Sequence, residues 1–363
     1  MATNGTPQPQ MRENEHPIDG VSQLDVYCDQ LRQLGYLTLE QFLGAIEVVG
    51  DQLSQHLGID VNQIVGQLPD TALAIPEDAA TALANADYAL GFVADELDGS
   101  QTSATGIDVS ALPSATSNIA ASLPNFCAPA DVSLIAGMPS VRDQGKRGTC
   151  VAHATLSSFE YYVQNSQSVC TDLSEQFLYW NCKQNDGAPN LSGTWLWVAF
   201  ELLRRDGVCA ESVWPYVPDP MPGNESQAPP PDGAADNAHG SAPLSYRKLI
   251  PTAIDDIKTE LARGAPVAFS IPVFDSWYKN SWVCYTGDLV MPIPGETSKG
   301  GHAMCIVGYQ DLPSYPEIGG GRFIIRNSWG MSLWAPQSCY SPGYGTIPYA
   351  YISGFGKEAF SIG

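Results

Sequence analysis

The sequence predicts an α+β protein in which a small helical module precedes a larger domain of mixed helices and strands. Three observations carry this. Apolar residues recur at helical spacing through residues 21–97. Composition shifts after residue 126 toward aromatics, glycine and proline. Beyond that point, alternating or continuous apolar runs such as HAMCIVGY and FII read as strands. At 363 residues the chain exceeds one typical core, so two domains are expected.

The elements follow in chain order. Residues 1–20 are polar and read as disordered. Leu24, Tyr27, Cys28 and Leu31 fall at i, i+3, i+4 and i+7, one helical face. Thr38 reads as an N-cap, with Gln41 three residues on as in a capping box. Gly50 and Gly58 punctuate the helix that follows, and Pro69 stops a short one after Asp60. A further helix, PEDAATALANADYALGFVADEL, starts after Pro76 and completes an acidic module over residues 1–97. Residues 98–127, rich in Ser, Ala, Thr and Gly, read as a linker or a cleft-covering strap before a domain over 128–363. Residues 217–243 are too polar and proline-rich to pack, and read as a surface loop.

Net charge is −22, and residues 1–126 hold 17 acids and two arginines of it, a net −15. An acidic chain without basic patches is a poor binder of nucleic acid. No apolar run approaches a membrane span. The start lacks a basic segment leading into an apolar one, so no cleavable secretory signal is expected; the cytoplasm, or export without such a signal, remains open. Nine cysteines form no CxxC pair, which argues against a zinc or redox site and for mostly reduced thiols. No metal and no cofactor is expected.

One stretch, VRDQGKRGTCVAHA (141–154), concentrates chemistry. Ala152, Leu156, Phe159 and Val163 share a helical face, so Cys150 stands at a helix N-terminus behind a loop shaped by Gly145 and Gly148. The positive end of the helix dipole favours a thiolate there. A nucleophilic thiolate needs a base and a group that orients the base. Of five histidines, His16 and His239 lie in polar segments, His56 on an exposed helical pattern, and His153 reads as structural. His302 opens the strand HAMCIVGYQ. The strand RFIIR ends at Asn327, whose side-chain oxygen can accept from an imidazole N–H, with Trp329 placed to screen that bond.

These segments together resemble the papain-like (C1-type) cysteine peptidases. QGKRGTCVAHA is similar to the family's QGxxGSCWAFA, with Gln144 six residues before Cys150; HAMCIVGY and NSWG match its histidine and asparagine signatures. Weaker likenesses in LSEQFLYWNC, SGTWLWVAFELLRRDGVCAESVWPY and IDDIKTELARGAPVAFSI extend the match in order over 128–363. The resemblance implies a two-lobed papain-like fold, a helical lobe carrying Cys150 and a β-barrel-like lobe carrying His302 and Asn327. It implies an endopeptidase acting on protein or peptide. Cys150 is then the nucleophile, His302 the proton carrier and Asn327 its orienter. Gln144 and the Cys150 backbone N–H form the oxyanion hole. Gly193, Thr194, Gly301 and Trp329 are the expected substrate-binding residues.

Departures mark this chain. Arg147 stands where relatives often carry a disulfide cysteine, leaving Cys182 without that partner; Val151 replaces a tryptophan and His153 an aromatic. The first third lacks the pro-helix signature of eukaryotic zymogens, and the shorter loops look like a bacterial branch. The expectation is an autoinhibited precursor whose N-terminal module contacts its own cleft. An acyl-transfer (ligase or transpeptidase) variant and a catalytically idle binding scaffold are the alternatives.

Overall fold

The computed structural model describes residues 12, 15–68, 74–86, 88–93, 128–243 and 245–363. Helices α1 (Cys28–Gln33), α2 (Leu39–Leu57), α3 (Val61–Val65) and α4 (Glu77–Ala84) form the N-terminal module. Thr38 caps α2 with a full capping box: its Oγ1 accepts from Gln41 N at 3.3 Å, and its own N–H donates to Gln41 Oε1 at 3.2 Å. Gly58 ends α2 at φ +70°, a conformation glycine adopts without strain. Leu24, Leu31, Phe42 and Leu53 are fully buried.

Order begins earlier in the module than its polar composition suggests. Ile18 is buried, Pro17 bridges to Thr38, and His16 Nδ1 lies 2.8 Å from Glu40 Oε1. A single apolar anchor and the buried Glu40 hold a segment that periodicity alone reads as disordered.

The helical lobe is built on α5 (Cys150–Gln167), α6 (Glu175–Asn185) and α7 (Leu196–Asp206), whose apolar faces share one core. The other lobe is an antiparallel sheet of β1 (Asp131–Ser133), β2 (Tyr246–Lys248), β3 (Val267–Val273), β4 (Gly300–Asp311), β5 (Gly321–Arg326), β6 (Tyr344–Pro348) and β7 (Glu358–Ile362). The strand order is β2-β7-β3-β4-β5-β6, with β1 on β4. Strands β3 and β5 are buried throughout, with the apolar stretches VAF in β3 and FII in β5.

The module does not stand apart. Its buried Leu24, Phe42 and Leu53 belong to the same core as Trp277, Val283, Phe323 and Trp334 of the sheet lobe. Helix α2 packs on two short helices, Asp275–Tyr278 and Ser281–Thr286. A Cβ on Gly44 would meet Asn280 Oδ1 at 2.4 Å, so glycine is needed for this approach. The module's two arginines clamp the same junction. Arg12 donates to Asp288 Oδ2 (3.1 Å), Thr286 O (3.0 Å) and Gln337 O (2.6 Å). Arg32 pairs with Glu317, donates to Ser314 O at 3.3 Å, and lies over the Tyr315 ring.

Two readings are corrected. The fourth module helix ends at Ala84, and residues 88–93 run extended. Residues 217–243 are not a free loop: Arg147 and Gln176 grip the backbone of 217–226, and Ala234 and Ala238 of α8 (Ala234–Ala238) are buried. The strap expected at 98–127 lies outside the described residues.

Candidate active site

Cys150 is the first residue of α5, with Thr149 before it in the N-cap position. Strand β4 packs against α5, and Ala303 N donates to Cys150 Sγ at 3.4 Å, which sets His302 beside the sulfur. His302 Nε2 lies 2.8 Å from Asn327 Oδ1, so Asn327 fixes the ring, and the buried Nδ1 has no partner among the described residues. Trp329 stacks on the imidazole at 4.5 Å and shields this bond; it is 1% exposed.

Backbone pairing joins the two segments. Gln144 N donates to Ser328 O (2.8 Å), and Gly330 N to Arg142 O (3.0 Å). Ser328 Oγ donates to Gln144 Oε1 at 2.7 Å, which turns the amide Nε2 outward. One Nε2 hydrogen goes to Arg147 O at 2.9 Å, and the other reaches into the cleft. On the opposite edge, buried Lys183 donates to Asp186 Oδ2 and to Gly193 O, both at 2.8 Å, bracing the Gly193–Thr194 strip.

The cleft is filled by the chain itself. Thr194 N donates to Gly91 O (3.0 Å), and Val93 N to Thr194 O (3.2 Å), a parallel bridge. Phe92 N donates to Gly301 O at 3.1 Å. The outward Gln144 Nε2 hydrogen is taken by Ala89 O at 3.1 Å. Tyr88 stacks on Trp329 at 4.3 Å and 8°, and its hydroxyl donates to Leu333 O at 2.6 Å. The Gly91 N–H is among the backbone groups that favour a thiolate at Cys150. Three glycines permit this close approach: a Cβ on Gly91 would lie 2.0 Å from Gly148 O, and one on Gly193 would lie 2.4 Å from Gly91 O.

This cover changes the electrostatics. Burial pushes the Cys150 thiol up to about 12, outweighing the N–H groups of Ala303, Gly91 and Val151 that favour the anion. Burial pulls His302 down to about 4, against the Asn327 hydrogen bond. Burial thus disfavours both the thiolate and the imidazolium in the covered site. The helix dipole alone does not make a thiolate while water is shut out.

A family model described as "Papain family cysteine protease" matches residues 130–340. The chain belongs to the papain family. Xylellain, a cysteine protease from Xylella fastidiosa, superposes with a TM-score of 0.60 at 26% identity, covering 76% of this chain and 96% of that one. Procathepsin L 3 of the Tenebrio molitor larval midgut shares the fold, with a TM-score of 0.52 at 18% identity over 92% of this chain and 96% of the other. In sequence, an uncharacterized peptidase C1-like protein of Acanthamoeba polyphaga mimivirus is 30% identical over 58% of this chain and 65% of its own length. Cathepsin K of Gallus gallus is 28% identical over 52% and 51%. The chain thus spans about half to two-thirds of the curated relatives it matches.

Within this family fold, all eight residues singled out from the sequence border one cleft. Cys150, His302, Asn327 and Gln144 meet at its centre. Gly193, Thr194, Gly301 and Trp329 line its edges. Arg147 fills its substituted position as a buried guanidinium, and the eight described cysteines, Cys182 among them, are free thiols. Sequence reasoning passed over Gly91, Tyr88 and Ser328. A glycine interrupting the apolar pattern of ALGFVADEL was the available signal, because such a residue often marks close backbone approach.

Proposed function

We propose that the chain is a cysteine endopeptidase made as an autoinhibited precursor, with residues 88–93 as the inhibitory strap. One observation carries this reading: the cleft over Cys150 already holds an extended peptide, hydrogen-bonded through its backbone to Thr194, Gly301 and Gln144. A site that grips main chain on both sides recognises peptides as a class.

With the strap gone, water and substrate enter. His302 takes the Cys150 proton, and the thiolate sulfur bonds to the substrate carbonyl carbon. The oxygen becomes an oxyanion, met by Gln144 Nε2–H and the Cys150 N–H. The C–N bond breaks as His302 returns the proton to the leaving amine. Water then cleaves the thioester by the same route, releasing the acid and restoring the thiol. Asn327 keeps the His302 ring aimed throughout. The strap's Ala89 carbonyl occupies the Gln144 Nε2–H that the reaction assigns to the oxyanion, so a substrate carbonyl enters only once the strap has left.

The test compares wild type with Cys150→Ala, each incubated with a reducing agent and followed by intact mass and by hydrolysis of a fluorogenic peptide. Shortening and hydrolysis in the wild type alone are expected. A Cys150→Ala chain that still hydrolyses the reporter overturns the assignment.

A further inference from the structure

Beside the oxyanion side of the cleft lies a group of side chains that the reaction above does not use. Arg147 is 2% exposed and makes no ion pair among the described residues. Its guanidinium donates to Gln176 Oε1 (2.6 Å), Val217 O (2.9 Å) and Glu225 O (3.3 Å). It lies over the rings of Tyr179 and Tyr216, at 5.4 and 5.2 Å. The Tyr216 hydroxyl donates to the backbone carbonyl of Gln144 at 2.8 Å and lies 2.6 Å from Thr149 Oγ1.

The protons of this chain have one consistent direction. A carbonyl only accepts, so the single phenolic proton goes to Gln144 O, and Thr149 Oγ1–H donates to the phenol oxygen. Each bond polarises the next. Tyr216 thus ties the two ends of the loop that carries both oxyanion donors: Gln144 at one end, and Thr149, whose successor supplies the Cys150 N–H, at the other. The ring is itself held. Arg147 covers it, His153 meets it edge-on at 4.9 Å and 89°, and Tyr216 N donates to Glu211 Oε1 at 2.7 Å.

We propose that Tyr216 is a positioning residue that sets the spacing of the oxyanion donors through its hydroxyl, with Arg147 locking its ring. The inference rests on the proposed peptidase reading, in which Gln144 and the Cys150 N–H meet the developing oxyanion. A hydroxyl that acts only through those donors matters in the transition state and not in substrate binding.

The test uses full-length chains, with iodoacetamide labelling of Cys150 reporting any change in strap occupancy, because Gln144 also holds the strap's Ala89 carbonyl. Tyr216→Phe keeps the ring and removes the hydroxyl. Its kcat for a peptide reporter is expected to fall about 10- to 30-fold with KM within twofold, against a loss on the order of 100-fold for Gln144→Ala. Iodoacetamide labelling of Cys150, which needs no oxyanion hole, stays within twofold. In the Gln144→Ala background, Tyr216→Phe adds less than in wild type, because the spacing it sets matters only while both donors are present. Arg147→Lys, which keeps charge but loses the planar stack, gives a smaller loss in the same direction.

A Tyr216→Phe chain with unchanged kcat, beside a Gln144→Ala chain that has lost activity, overturns the proposal. Equal losses from Tyr216→Phe in both backgrounds also overturn it, because they point to general destabilisation. Full activity in Gln144→Ala would instead refute the oxyanion reading on which the proposal stands.

Discussion

Substituting Gly91 by alanine tests the strap at its tightest point. The added Cβ would sit 2.0 Å from Gly148 O and 2.1 Å from Gly148 C, both backbone atoms of the loop before Cys150. Ordinary contact needs about 3.5 Å, so the strap must withdraw by roughly 1–1.5 Å. That displacement breaks the bonds flanking Gly91: Thr194 N to Gly91 O, Phe92 N to Gly301 O, and Val93 N to Thr194 O. At about 1 kcal/mol net each, the covered state loses roughly 3 kcal/mol, so the open fraction rises about 100-fold. The assay is the initial rate of peptide-reporter hydrolysis by the full-length chain, with iodoacetamide labelling of Cys150 as a second readout. Both are expected to rise about 100-fold. Gly20→Ala, where a Cβ meets no atom within 4 Å, is the control and leaves both unchanged. A folded Gly91→Ala chain that matches wild type in both rates refutes the reasoning.

Further outcomes follow from the same contacts. Asn327→Ala frees the His302 ring and strips the Ser328 N–H of its acceptor; kcat should fall by about 10- to 100-fold, and urea unfolding should show a loss of about 1–3 kcal/mol. Arg12→Ala removes the cation shared by Glu15 and Asp288 at the module junction and leaves Asp288 with Arg322 at 4.0 Å. Reporter hydrolysis by the full chain should rise as the module loosens by about 1–3 kcal/mol, and an unchanged rate would place the strap's hold elsewhere. Stability should fall as pH rises from 6.5 to 8. Burial raises Glu160, Glu175 and Glu358 above the usual carboxylate range, so the folded chain keeps protons that the unfolded chain has released. Their contribution is complete below about pH 4.5 and is lost as pH passes their raised values. His153 and His302, shifted down by burial, oppose this only below about pH 6.5, where the unfolded imidazoles charge. Urea midpoints at pH 6.5 and 8 check the sign, and a higher midpoint at pH 8 would contradict it.

Local rules proved reliable where the deciding atoms are close in sequence. The Thr38–Gln41 capping box needs only four consecutive residues, and it forms. The papain-family fold was legible because three short motifs keep their residue types over a long stretch of chain. The fourth module helix failed at Ala84 because residues 88–93 gain more from backbone partners across the cleft than from continuing a helix. The polar 217–226 segment defied its composition for a similar reason. Arg147 and Gln176, far away in sequence, satisfy its carbonyls.

Residue types and their spacing were enough to point to the family and to nominate Cys150, His302 and Asn327, because that chemistry tolerates few substitutes. Tertiary structure decided that residues 88–93 lie in the cleft. It decided the direction of the strap, the burial that disfavours charge on Cys150 and His302, and the packing of Arg147 against Gln176. The physical reason is common to all of these. Burial and hydrogen-bond partnership are set by groups brought together from distant parts of the chain, and no window of sequence contains them.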